Sequence, residues 1–314
     1  MNVLITGGYG NLGSWLVRYF VEKNEKVTIL SKNYKSFLQG YSHSCICVDI
    51  EDEEKTLSSL KSQIFDVVIH AASCNDQFLD NYPYKSLKIN AWGTRNILNA
   101  LKDNPPKHFI YLSTFHVYGK QSGIIEETTE LAPQNDYALT HLFAEYYLKK
   151  YAMQNNFFYS IIRLTNSYGC PLDPFTSKWY LVLNDLIKMA FEKHAIELKT
   201  NGNASRDFIW MGTVCKVIYE LSKLKPENEI YNLSEEKTYT IKEIAEMVKE
   251  VYELRYNKIL PICLNPEDKT PVGKQLLVKS HKLKNKVKYE PNNQIKNETI
   301  KIFDLLEKIK TNDY

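Results

Sequence analysis

The chain has 314 residues, 44% of them hydrophobic and 25% charged, with a formal net charge of +3. This length suits one large domain or two modest ones sharing a core, and the balance is that of an ordinary globular protein. A charge so near neutrality gives no general pull toward nucleic acid, and no apolar run approaches the ~18 residues of a membrane span.

The opening MNVLITGG lacks the charged start and long apolar core of a secretory signal, so a cytoplasmic location is expected. Cys45, Cys47, Cys74, Cys170, Cys215 and Cys263 are scattered, with no zinc-like spacing. Free thiols and no metal follow. The Lys-rich run 269–288 reads as solvated surface.

In chain order, short apolar runs at 2–6, 26–30, 45–48, 66–70, 109–113 and 159–163 predict strands. Each is β-branched and almost continuously apolar, as strands buried on both faces of a parallel sheet are. Amphipathic stretches at 12–22, 86–101 and 137–151 alternate with them and predict helices. Repeated βα units give an α/β fold with a doubly wound parallel sheet of Rossmann type. After Arg163 the alternation loosens, with a loop at 169–174 and helical segments at 179–192, 213–224 and 240–252. The expected division is a dinucleotide-binding domain over 1–166 and a smaller C-terminal substrate-binding domain over 167–314. The chain is expected to return to the sheet near 209–234.

Directly after the first strand stands Gly7-Gly8-Tyr9-Gly10-Asn11-Leu12-Gly13. Glycines at 7, 10 and 13 allow a tight turn and a close backbone approach to a pyrophosphate, which the following helix N-terminus would bind. The strand–helix setting is what gives a glycine triplet its meaning. At the end of the second strand, where an acidic residue would favour NAD, the chain has Ser31-Lys32. Lys32 would attract the 2′-phosphate of NADP, but the glycine loop has no arginine, so the residues alone leave the two cofactors open.

With these parts in place the chain resembles the extended short-chain dehydrogenase/reductases of the nucleotide-sugar epimerase/dehydratase group. The resemblance covers nearly the whole length, in order. Asp49-Ile50 stands where that family contacts the adenine, Ala71-Ala72-Ser73 follows the fourth strand and lines the cofactor, and Asn90 supports the active site. Ser113-Thr114-Phe115-His116-Val117-Tyr118-Gly119 and Arg163-Leu164-Thr165-Asn166-Ser167-Tyr168-Gly169 match two further motifs, and Arg206 precedes Asp207-Phe208. The resemblance places Thr114, Phe115, His116, Asn166 and Arg206 on the substrate side. Asn166 and Arg206 suit an anionic ligand such as a sugar diphosphate, linked to GDP or UDP. Tyr118 and Tyr168 are expected to pack.

The family's catalytic Tyr is followed four residues on by Lys, but here the stretch is Tyr137-Ala138-Leu139-Thr140-His141. Residues four apart on a helix share a face. The resemblance implies that Tyr137 removes a sugar hydroxyl proton, that Thr114 positions the hydroxyl, and that His141 takes the lysine's place on the nicotinamide ribose. A free phenol has a pKa near 10 and is a poor base without help. A unit charge roughly 6 Å away, at an effective dielectric of ~20, would supply about 2.8 kcal/mol, or about two pKa units. Neutral imidazole would forfeit most of that. Phe115-His116 also replaces the Asp-Glu pair of the family's 4,6-dehydratases, which argues against dehydration.

The expected activity is oxidation or reduction at C4 of a nucleotide sugar, as a 4-dehydrogenase or 4-keto reductase. A C4 epimerase that recycles NAD is the alternative, and a catalytically silent dinucleotide sensor is the rival of another class. The Lys/Asn/Ile-rich, Gly-poor texture resembles bacterial capsule-pathway enzymes of the GDP-heptose 4-dehydrogenase type. That likeness tips the expected cofactor narrowly to NAD(H) over NADP(H). By analogy with the family, helices 86–101 and 137–151, with Leu142, Phe143, Tyr146 and Tyr147, would join copies into a homodimer or homotetramer.

Overall fold

A computed structural model describes residues 1–75, 83–269, 271 and 276–311. Residues 270 and 272–275 of the Lys-rich run lie outside the described residues. In chain order come β1 (Asn2–Thr6), α1 (Asn11–Glu22), β2 (Lys26–Ser31), β3 (Ser44–Cys47), α2 (Glu53–Leu60) and β4 (Val67–His70). Helix α3 (Pro83–Ser86) continues through a π-helical segment, Leu87–Gly93, into α4 (Thr94–Ala100). Then follow β5 (His108–Thr114), β6 (Gly123–Ile125), α5 (Asp136–Asn155), β7 (Phe158–Leu164) and β8 (Asn166–Tyr168). The remainder is α6 (Val182–Lys193), β9 (Ile196–Glu197), β10 (Ser205–Trp210), α7 (Met211–Lys223), β11 (Glu229–Leu233), β12 (Thr238–Thr240), α8 (Ile241–Tyr256), β13 (Ile262–Cys263), β14 (Leu276–Val278), α9 (His281–Lys284) and α10 (Ile295–Thr311).

The main sheet has seven strands in the order β11-β7-β5-β4-β1-β2-β3, all paired in parallel. From β1 the chain winds one way through β2 and β3, then crosses to β4 and winds the other way. The reversal opens a crevice beyond the carboxyl ends of β1 and β4, where doubly wound sheets bind ligands. Alternation across the strands builds the core. Val3 and Ile5 join an apolar layer with α1 and α7, while Leu4 joins the opposite layer with α4 and α5. A third apolar cluster, from α6, α8 and α10, holds the C-terminal part together. That part reaches the crevice through a three-stranded sheet, β12-β10-β8. Of the segment expected to return to the main sheet, β11 joins it beside β7, whereas β10 pairs with β8 and β12 instead.

Candidate active site

The glycine loop is shaped by contacts only glycine allows. Gly7 has φ +67°, and a Cβ there would lie 2.7 Å from Ala72 Cα. A Cβ on Gly13 would lie 2.1 Å from the Gly7 carbonyl oxygen. The Gly10 N–H donates to that same oxygen at 2.8 Å. Helix α1 then starts with Gly10 as its N-cap, no side-chain cap and no acidic residue in its first turn. Its leading N–H groups and positive dipole end therefore meet no acidic side chain within the helix's own first turn, which suits a pyrophosphate. The buried Asn11 Oδ1 has no partner among the described residues.

At the end of β2, Lys32 pairs with Asp49 at 2.7 Å, while Ser31 accepts the Val48 N–H through its carbonyl. Asp49 holds the exposed Lys32 cation, and Ile50 packs its side chain where a Cβ on Gly93 would fall. Beyond β4, the Ala71 N–H donates to the Thr6 carbonyl, and the Ala72 N–H to Thr6 Oγ1 at 3.2 Å. Asn90 is buried in the π-helical segment. Its Oδ1 accepts from the Cys74 N–H at 2.7 Å, and its Nδ2 donates to the Cys74 carbonyl and to Thr140 Oγ1 at 3.1 Å. One side chain thus ties the exit of β4 to α5, next to His141. Single-turn π insertions often mark functional sites, and this one sets Asn90 between two lining elements.

Gly10, Asn11, Leu12, Gly13, Ala71, Ser73, Thr114, His116, Tyr137, His141, Asn166 and Arg206 line one cavity of about 470 Å³. Gly7 and Ala72 meet beneath it; Ser31, Lys32, Asp49, Ile50 and Asn90 are not in its lining. Phe115 corrects the expectation that it faces the substrate. The Thr114 hydroxyl accepts the His116 N–H, turning the chain into a short 3-10 helix, and Phe115 is buried there with Val117, Tyr118 and Ile125. Tyr118 and Tyr168 do pack: Tyr118 donates to Asn232 Oδ1 at 2.7 Å, and the Tyr168 hydroxyl accepts the Gln294 N–H.

Thr114 ends β5, and Tyr137 lies in the first turn of α5, which Asn135 caps by accepting the Ala138 N–H. Burial pushes the Tyr137 phenol up to about 12, against the pull of a hydrogen bond with Thr114. The His141 ring lies edge-on to Tyr137, with centroids 4.6 Å apart. Burial, then the fields of His70 and His116, takes His141 down to about 3, so it is neutral at pH 7. His116 falls to about 4 through burial and the charge of Arg206. Arg206 donates to the Ser205 carbonyl, and Asn166 Nδ2 to the Asp207 carbonyl at 2.9 Å.

Three sets of contacts had no reading in the sequence, although Arg163 stood there as part of a motif. Tyr111 bonds His141 Nδ1 through its hydroxyl at 2.6 Å. His70 lies beneath, bridging Thr6 and Thr94. Glu145 and Arg163 form an ion pair whose side chains are 0% and 2% exposed, and Glu145 also accepts from Ser113. A nearly continuous apolar strand pattern hides a hydroxyl at Tyr111, and a salt bridge between helix and strand leaves no spacing to recognise.

The family model described as "NAD dependent epimerase/dehydratase family" matches residues 3–234. A UDP-glucose 4-epimerase of Mycoplasma genitalium is 26% identical over 275 residues, 80% of this chain and 81% of that one. The dTDP-D-glucose 4,6-dehydratase of Homo sapiens is 24% identical over 264 residues, covering 79% and 74%. The crystal structure of the UDP-glucuronic acid 4-epimerase from Bacillus cereus, in complex with UDP-glucuronic acid and NAD, superposes with a TM-score of 0.79. It is 21% identical, over 98% of this chain and 100% of that one.

Proposed function

The chain belongs to the NAD-dependent epimerase/dehydratase family, and from that premise we propose that it oxidises or reduces a nucleotide-diphosphate sugar at C4, as a 4-dehydrogenase or 4-keto reductase. The supporting observation is one cavity lined by Thr114, Tyr137 and His141 together with the glycine loop, Asn166 and Arg206. A nicotinamide dinucleotide, when bound, supplies the hydride acceptor or donor. Tyr137 takes the proton from the C4 hydroxyl or returns it, and the Thr114 hydroxyl orients that oxygen. Arg206 and Asn166 hold the diphosphate. The same groups serve a C4 epimerase that regenerates its cofactor within a turnover, a reading favoured by the relatives named as UDP-sugar 4-epimerases. Phe115, buried away from the cavity, offers no acid for eliminating water.

NAD(H) is preferred to NADP(H) because Lys32 is already neutralised by Asp49 at 2.7 Å. A 2′-phosphate would have to compete with that carboxylate and sit beside its charge. Mass spectrometry of nucleotide released from denatured protein, with thermal shifts against UDP, GDP and their sugars, tests the proposal. Released NAD⁺ or NADH and stabilisation by a sugar nucleotide are expected. Bound NADP(H) would overturn the cofactor assignment, and a bound dinucleotide without response to any sugar nucleotide would favour a sensor.

A further inference from the structure

The His141 ring is 1% exposed, and its two nitrogens have different fates. Nδ1 lies 2.6 Å from the Tyr111 hydroxyl. Nε2 is buried with no partner among the described residues, on a side chain that lines the cavity. A buried polar atom left alone carries an uncompensated desolvation cost, which an acceptor entering the cavity would relieve.

The hydroxyl decides which nitrogen carries the proton. Tyr111 is 1% exposed, and among the described residues its oxygen bonds to His141 Nδ1 alone. If Nδ1–H donated to the phenol oxygen, the Tyr111 O–H would be stranded in the core as a second orphan. If the O–H donates to Nδ1, both atoms are satisfied, and the proton of the neutral ring must sit on Nε2. The ring below is fixed by the same reasoning. Thr94 Oγ1 donates to the Asn90 carbonyl, so it can only accept from His70 Nε2. Thr6 Oγ1, which accepts the Ala72 N–H, therefore donates to His70 Nδ1 at 2.6 Å. Tyr111 stacks against both imidazoles, with centroids 5.4 Å from His70 and 5.8 Å from His141. Its ring is thereby held by contacts with both imidazoles, and its hydroxyl bonds one of them.

We infer that Tyr111 is a positioning residue that locks His141 in the Nε2–H tautomer, so that a side chain lining the cavity carries one neutral N–H donor in place of a cation. This rests on the proposed cofactor site for its use, though not for its existence. Nε2–H would donate to an acceptor oxygen there, a ribose hydroxyl or the Tyr137 phenolate. The low basicity of the buried ring agrees with a neutral donor.

The test is long-range ¹H–¹⁵N NMR of the full chain labelled at histidine, with His141→Gln to assign the signal. At pH 7 the wild type should show a protonated Nε2 and a pyridine-type Nδ1 at His141. Tyr111→Phe, which keeps the stacked ring and removes only the hydroxyl, should convert this to a tautomer mixture. It should also weaken NAD binding roughly 3- to 10-fold, the scale of one hydrogen bond. Nδ1–H or imidazolium in the wild type would overturn the inference, as would an unchanged signal in Tyr111→Phe. Should Tyr111→Phe not fold, the wild-type tautomer alone decides. A tautomer shift with unchanged NAD affinity would support the role of Tyr111 and count instead against the cofactor facing His141.

Discussion

Tyr137 and His141 pose the central question at the scale of single residues. Burial holds the Tyr137 phenol up at about 12, and the imidazole that replaces the lysine is neutral. The phenolate form does the work of a base, so the rate of sugar oxidation should climb as pH rises from 6 to 9. His141→Lys brings a charge to the same helix face. A cation favours the phenolate, lowers the Tyr137 pKa by about two units and moves the rise to lower pH. Rate profiles of the two proteins across pH 6–9 check this, and coincident profiles would rule out His141 as the electrostatic departure. The pentapeptide made this substitution legible in the sequence. Tyr111 was hidden because its neighbours read only as a buried strand, and the value of its hydroxyl depends on a helix residue 30 positions away.

Among the elements, α5 carries Tyr137 and His141, and a buried ion pair anchors it. Glu145 receives Arg163 Nε at 3.1 Å and Nη2 at 2.7 Å, and accepts from Ser113 at 2.6 Å. It thus joins α5 to β7 and to the residue before Thr114. Arg163 also donates to the Tyr118 hydroxyl. Removing one partner of such a pair leaves a bare buried charge and costs about 3–5 kcal/mol. Glu145→Leu should therefore lower the thermal midpoint sharply, and Glu145→Leu with Arg163→Met should recover much of the loss. Calorimetry of both variants decides; equal midpoints for single and double would contradict it. The strands and most helices were legible because burial on both sheet faces forces continuous apolar runs. The helix expected over 86–101 is instead α3, a π segment and α4, since periodicity cannot register one inserted residue. Phe115 was misread because the motif gives residue order, whereas the turn capped by Thr114 sets the direction of the side chain.

Over the whole molecule, α5 bears apolar residues around most of its circumference, which a helix needs only when both sides are covered. Leu142 and Tyr147 turn inward and pack within the chain. Leu139, Phe143, Tyr146 and Met153 remain 37%, 43%, 58% and 87% exposed along one stripe, and Trp92 from the adjoining π segment is 40% exposed. We propose this face as the contact between two copies. Phe143→Glu with Tyr146→Glu should reduce the sedimentation mass from dimer or tetramer to monomer at micromolar concentration; a wild-type protein that is already monomeric would exclude it. None of the described helices is long and apolar enough to cross a membrane, and no group of three or more metal-ligating side chains occurs among the described residues.

Hydride transfer from C4 is the step on which the proposed catalytic roles depend. It is read most directly by incubating the protein and NAD⁺ with UDP- and GDP-sugars deuterated at C4 and weighing the dinucleotide by mass spectrometry. Deuterium should appear on the nicotinamide with the wild type and fall by roughly 10²–10⁴-fold in Tyr137→Phe, the scale of lost acid–base catalysis. A dinucleotide that binds yet gains no deuterium from any of these sugars would contradict C4 chemistry in this cavity.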